Sequence, residues 1–144
     1  MRYCKDKQSA SAALHSGFLK IYQNIKQLTD VEKVESWMSR IVVHASIDQI
    51  KADKRFRFVE VVDDHIQARS SEPIETELTQ KYLPLLNQLP EGYRLVFSMR
   101  VLEEMRHKEI ARLLDITEST SRSQFLKAKN MLKTIIENNY ETIQ

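Results

Sequence analysis

The chain has 144 residues, with 22 basic and 20 acidic side chains, a net charge of +2, and apolar residues making up 42%. That length suits one domain or two small ones, and the near-balance of charge means that any nucleic-acid binding must come from local clustering. Two glycines and three prolines exclude a turn-rich β fold, and a single cysteine, Cys4, excludes an internal disulfide.

A reducing compartment fits that cysteine usage. The start, Met1 to Lys7, has no signal-peptide core, and no apolar run approaches the roughly 20 residues that cross a bilayer. The expectation is an all-α, cytoplasmic protein without membrane contact. Residues 1–58 form the first helical segment. Within it Phe18, Ile21, Tyr22 and Ile25 are expected to share one helical face. Trp37, Ile41, Ala45 and Asp48 fall at i, i+4, i+8 and i+11, and the first three predict core. Lys51, Lys54, Arg55 and Arg57 end the segment as a basic run. Such a run is ordinarily a solvated face, but beside a DNA reader it can hold phosphates.

Residues 59–77 read as a linker. Glu60, Asp63, Asp64, Glu72, Glu75 and Glu77 stand against a single Arg69, and Ser70-Ser71-Glu72-Pro73 is loop chemistry. This favours a solvated acidic tether.

Residues 78–144 carry the clearest signal. His107 to Leu114 is a short amphipathic segment in which Ile110, Leu113 and Leu114 recur at helical spacing. A break follows at Asp115-Ile116-Thr117, about the length of the turn in a helix-turn-helix. The turn lacks the glycine often found there, but Asp115 tolerates a left-handed backbone better than most residues. Thr117 can cap the next helix by accepting a backbone N–H bond. That helix has an apolar stripe of Phe125, Ala128, Leu132 and Ile135. Its other faces carry Ser119, Thr120, Arg122, Ser123, Gln124, Lys127 and Lys129, and Lys108 lies on the preceding helix. Four basic residues and one acid fall between Glu118 and Lys133. Hydroxyl, amide and cationic groups on an exposed helix suit phosphate positioning and base-edge readout. The plain alternative is a helical hairpin with a solvated basic face.

No catalytic constellation is visible. His15, His44, His65 and His107 are scattered without metal-ligand spacing, and Glu103 and Glu104, adjacent on a helix, would diverge. No Gly-rich phosphate loop occurs. The expectation is a non-enzymatic protein with no metal and no cofactor.

Leu89-Pro90-Glu91-Gly92-Tyr93-Arg94, His107-Lys108-Glu109-Ile110-Ala111, Ile116 to Gln124 and Lys127-Ala128-Lys129 together resemble the C-terminal domain of bacterial extracytoplasmic-function sigma factors. Those are the small members of the sigma-70 family. Phe18 to Tyr22, Trp37 to Ile41 and Asp48 resemble the domain of that family that grips core RNA polymerase and melts the promoter. The resemblance implies two small helical domains, 1–58 and 78–144, joined by the 59–77 linker. It implies promoter DNA on the second helix of the helix-turn-helix, with Lys51, Lys54 and Arg55 as further phosphate contacts. It implies core RNA polymerase on Leu14, His15, Phe18, Leu19 and Tyr22, and a flipped promoter base at the Lys26–Lys33 loop. The linker would thread a polymerase channel.

Three departures from the family pattern stand out. The family domain usually begins about two helices earlier, so a truncated or divergent member is expected. Ser11, Ala12, His15 and Ser16 replace the acidic and glutamine residues usual ahead of Phe18, and His44 replaces an asparagine. They suggest a further partner, either an anti-sigma factor or a separate DNA-targeting protein. Two other readings stay open: a helix-turn-helix regulator of the response-regulator output type, and a protein-binding adaptor without DNA readout. The Trp37 segment favours the sigma reading over a plain regulator, which has no use for it.

Overall fold

The structure is a computed structural model that describes residues 3, 4, 6–52 and 83–141. Among the described residues every regular element is helical, as expected of an all-α chain. Contacts divide the chain into two compact units, Tyr3–Arg57 and Phe58–Gln144. Lys54, Arg55, Arg57, His65 and the 59–77 linker lie outside the described residues.

The first unit is a helical hairpin. Helix α1, Lys7–Asn24, starts where Asp6 Oδ1 accepts the Ser9 N–H at 2.7 Å, satisfying a donor that the helix itself cannot. It ends at Asn24, whose amide Nδ2 donates to the Lys20 carbonyl at 2.7 Å. A 3-10 turn, Ile25–Gln27, follows. Asp30 then caps a second such turn, Val31–Lys33, through the Glu32 N–H at 3.1 Å. Helix α2, Val34–Ala52, runs on from there and packs on α1.

The seam between them mixes small residues with β-branched aliphatic ones. Ala13, Gly17 and Ile21, four apart, are the buried residues of α1. A Cβ at Gly17 would lie 3.2 Å from Val42 Cγ2, 3.5 Å from Val42 Cα and 3.8 Å from Ala45 Cβ. The missing side chain therefore lets the two backbones approach. On α2 the buried residues are Val43, Ala45, Ser46, Ile47 and Ile50. Lys20 Nζ donates to Asp48 Oδ2 at 2.9 Å across the exposed edge of this seam.

This seam corrects two expectations. Ile21 does not share a face with Phe18, Tyr22 and Ile25: it is buried, and the other three are exposed. The step Ala13–Gly17–Ile21 selects the face that can come closest to α2, and that rotates the bulky side chains outward. Trp37 and Ile41, expected in the core with Ala45, are only half-buried, and of the three Ala45 alone is fully inside.

The second unit surrounds a denser core. Residues 83–86 form a helical turn, and the Asn87 N–H donates to the Leu83 carbonyl at 2.9 Å. Helix α3, Glu91–Val101, begins after Pro90, the N-cap, whose carbonyl accepts the Arg94 N–H at 2.9 Å and whose missing N–H costs the helix no bond. Leu95, Val96, Ser98 and Met99 are buried along it. Glu104 ends the segment in a left-handed conformation, φ 54°, with the Met105 N–H donating to the Met99 carbonyl at 3.0 Å. Glu103 and Glu104 therefore lie in a loop and not on a helix, which corrects the sequence expectation.

Helix α4, His107–Leu114, has the bounds that the sequence predicts. The Glu109 carboxylate reaches back to accept the Arg106 N–H at 2.9 Å, half of a capping box. Asp115 then turns left-handed, φ 58°, as the missing glycine requires, and the Ile116 N–H closes onto the Ala111 carbonyl at 3.0 Å. Helix α5, Glu118–Glu141, follows, with Thr117 Oγ1 accepting the Thr120 N–H at 3.0 Å. Helices α3, α4 and α5 pack on one another. Leu86, Leu89, Ala128 and Leu132 form one buried cluster, covered by Leu85, Tyr93, Phe97 and Met131. Ile110 and Leu95 are fully enclosed, and each contributes about 1.5–3 kcal/mol by burial.

Candidate nucleic-acid interface

Helix α5 separates cleanly into two sides. At 3.6 residues per turn, Ser121, Gln124, Phe125, Ala128, Leu132 and Ile135 fall on the inward side. All six are buried or half-buried. Ser119, Ser123, Leu126 and Asn130 run down the middle of the outward side and are exposed. Arg122 and Lys129 flank that row on one edge and Lys127 on the other, all exposed. Lys108 is exposed on α4.

Each expected residue can be placed on this map. Ser119, Arg122, Ser123, Lys127 and Lys129 stand on the outward side. Thr120 is half-buried, with its hydroxyl 2.8 Å from that of Thr117, so it belongs to the cap more than to the surface. Gln124 is a correction. It is only 7% exposed and faces the core, so its amide does not reach the outward surface where a base edge would be read. Its Oε1 has no hydrogen-bond partner among the described residues. Lys51 is exposed at the end of α2, in the other unit.

The outward side is partly pre-engaged. Arg122, exposed, forms an (i, i+4) pair with the half-buried Glu118 on its own helix. The Ser123 hydroxyl donates to the Thr120 carbonyl at 3.0 Å. The Lys129 ammonium lies 5.9 Å from the centre of the Phe125 ring. Exposed pairs of this kind are worth under about 1 kcal/mol, so a phosphate can displace them readily. Leu126, 58% exposed, was not among the residues expected from sequence. Its signal was an apolar residue in phase with Ser119 and Ser123.

Behind this face sits a half-buried histidine. His107 Nδ1 lies 2.9 Å from Ser121 Oγ, joining the two helices of the motif across 14 residues. Its ring meets Phe125 edge-on at 5.6 Å, and Phe125 stacks on Phe97 of α3 at 5.9 Å. Burial holds the imidazole below its ordinary value of 6.5, and the Arg122 and Arg100 charges add to this against an opposing Glu118.

In the first unit the five residues expected to meet a partner, Leu14, His15, Phe18, Leu19 and Tyr22, are all exposed. Phe18 is 58% and Tyr22 81% exposed, high values for aromatic side chains. Leu14, Phe18 and Tyr22 make one outward stripe along α1, continued by Ile25 at the start of the 3-10 turn. Val31, 78% exposed, projects from the Lys26–Lys33 loop. A shallow groove lined by Gln8, Ser11, Ala12, His15, Ser16 and Leu19 runs beside the stripe. It occupies the positions where the sequence departs from the family pattern. Among the described residues no acidic or His/Cys cluster could hold a metal ion, and no helix is long and apolar enough to cross a membrane.

Comparison with known proteins follows the same division. Residues 1–56 match the family model for sigma-70 region 2, and residues 79–132 match that for sigma-70 region 4. Only 57–78 and 133–144 fall outside these matches. The ECF RNA polymerase sigma factor SigM of Bacillus subtilis (strain 168) is 27% identical over 136 residues, covering 91% of this chain and 82% of the relative. The RNA polymerase sigma factor SigZ of the same organism is 25% identical over 132 residues, 92% of this chain and 75% of the relative. The ECF RNA polymerase sigma-E factor of Haemophilus influenzae is 21% identical over 137 residues, 86% and 72% respectively.

Proposed function

Because this chain belongs to the extracytoplasmic-function group of the sigma-70 family, we propose that it directs core RNA polymerase to promoters by the surfaces described above. It is a transcription initiation factor that binds core polymerase and promoter DNA. The observation that carries the assignment of surfaces is the outward side of α5. Ser119 and Ser123 can donate or accept at base edges, while Arg122, Lys127 and Lys129 can hold phosphates on either flank. Leu126, at the centre, suits contact with a thymine methyl group. Entry of this helix into the major groove of the upstream promoter element is the geometry of a helix-turn-helix.

The α1 stripe of Leu14, Phe18, Leu19 and Tyr22 is the proposed polymerase contact. A row of exposed aromatic and aliphatic side chains is what an interface core uses. The Lys26–Lys33 loop, with its exposed Val31, is proposed to meet the melted promoter strand. The protein works in the cytoplasm and positions other molecules without performing chemistry of its own.

The test is assembly. Purified chain is mixed with core RNA polymerase, the complex is isolated, and the DNA it protects is mapped. Protection of an upstream element that disappears when Ser119, Arg122 and Lys127 are replaced together by alanine is expected. A chain that fails to co-elute with core polymerase would sink the assignment of α1. Unchanged protection in the triple variant would sink that of α5.

A further inference from the structure

We propose that His107 is a positioning residue for the recognition helix: bonded to Ser121, its neutral ring fixes the start of α5 for promoter contact, and acidification loosens that hold. The inference deepens the reading of α5 as promoter reader and rests on it.

The geometry is a polar joint inside an apolar seam. Ser121 is fully buried, one residue from Arg122 and two from Ser119 and Ser123 on the outward side. Its hydroxyl meets His107 Nδ1 at 2.9 Å. His107 is the first residue of α4, so this bond ties the start of one helix of the motif to the start of the other. The same ring rests on Phe125, which rests on Phe97, so a shift at His107 is felt by α4, α5 and α3 together.

The surroundings favour the uncharged ring. In the neutral form Nδ1 either accepts the Ser121 O–H or donates to Ser121 Oγ, and the bond stands in both tautomers. A second proton on the ring would create a cation at the positive end of α4, near Arg100 of α3 and Arg122 of α5. Its neighbours in sequence, Arg106 and Lys108, are also basic. The facing carboxylate, Glu118, is already paired with Arg122. Ser121 can turn its hydroxyl to accept instead, but the added charge remains.

A histidine whose folded-state value is lowered below 6.5 binds protons more weakly folded than unfolded. The stability linked to it is complete above 6.5 and is lost as pH falls through the folded value. The loss concentrates where the ring is attached, at the start of α5.

The test uses the full chain bound to core polymerase and a fluorescent duplex selected from a random pool at about pH 8. Wild type, His107→Gln and Ser121→Ala are compared between about pH 8 and pH 5.5. Wild-type affinity is expected to weaken several-fold on acidification. His107→Gln, polar but not titratable, is expected to bind like wild type at pH 8 and to keep its affinity at pH 5.5. Ser121→Ala is expected to bind more weakly throughout. A parallel fall in wild type and His107→Gln would overturn the proposal. So would tighter wild-type binding at low pH, the sign of an imidazolium meeting phosphate. Amide hydrogen exchange at residues 119–123 of the free chain, corrected for intrinsic rates, decides the joint independently of DNA. Acid-accelerated opening in wild type but not in His107→Gln supports it, and equal opening refutes it. If no duplex is bound by any variant, the promoter reading of α5 fails and the exchange data still judge the joint.

Discussion

Replacing Phe18 by alanine separates the proposed polymerase surface from the fold. Phe18 is 58% exposed on α1, so its ring contributes little to the hairpin but has much left to bury. A phenylalanine buries about 150–250 Å² in all, so docking would cover roughly 100 Å² more. At about 25 cal/mol per Å² this is worth about 2.5–3 kcal/mol, close to a hundred-fold in dissociation constant. The predicted outcome is a loss of about that size in binding of Phe18→Ala to core polymerase, measured by titration with a labelled chain. Unfolding of the free chain, followed by circular dichroism, should shift by no more than about 0.5 kcal/mol, the range for surface substitutions. Affinity within a few-fold of wild type would show that the exposed ring is not part of the contact. A large loss of stability would show that it belongs to the core after all.

Other consequences can be checked separately. Helix α1 has no acidic residue from Lys7 to Asn24, so polymerase binding should change little between low and moderate salt, and a steep salt dependence measured in the same titration would argue against an apolar contact. Gly17→Val should force α1 and α2 apart and cost about 1–3 kcal/mol in denaturant unfolding, since even a Cβ would press on Val42. Ile110→Ala should cost about 2–5 kcal/mol in the same assay, because Ile110 is fully enclosed. Arg122→Ala should weaken promoter binding at every salt concentration tested, and a base-edge contact would cost about 1–3 kcal/mol and relax specificity at one position. Unchanged gel-shift affinity would leave Arg122 serving only its pair with Glu118.

The helix-turn-helix was legible because its signals are local. The bounds of α4, the Thr117 cap and the left-handed Asp115 each depend on a few consecutive residues, and each stands where the spacing puts it. Gln124 was misread because a long polar side chain normally faces water. Extending the stripe from Phe125 and Ala128 back by four residues reaches Ser121 and Gln124, so helical phase carried the answer against residue type. The same conflict operated on α1. Ile21 looks like a partner of Phe18 and Tyr22 by hydrophobicity. The inner face is instead chosen by how closely α2 can approach, and that is decided by Gly17 and by Val42 and Ala45 opposite it. Close approach depends on residues from two helices, so no window of one helix reveals it. The end of α3 escaped for a related reason: Glu104 adopts a left-handed backbone without any glycine or proline to announce the stop.

The narrow seam at Gly17 also bears on the life of the protein away from its partner. Close approach of the two helices at Gly17 leaves no room at that level of the hairpin for an aromatic ring, and Phe18, Tyr22 and Val31 are carried on the outside. Surfaces of this kind stick to one another and draw chaperones and proteases. On the proposed docking of α1, a molecule seated on polymerase hides them, whereas an idle one displays them. On that reading, synthesis in excess of polymerase should end in precipitation or turnover, not in a standing reserve of free protein.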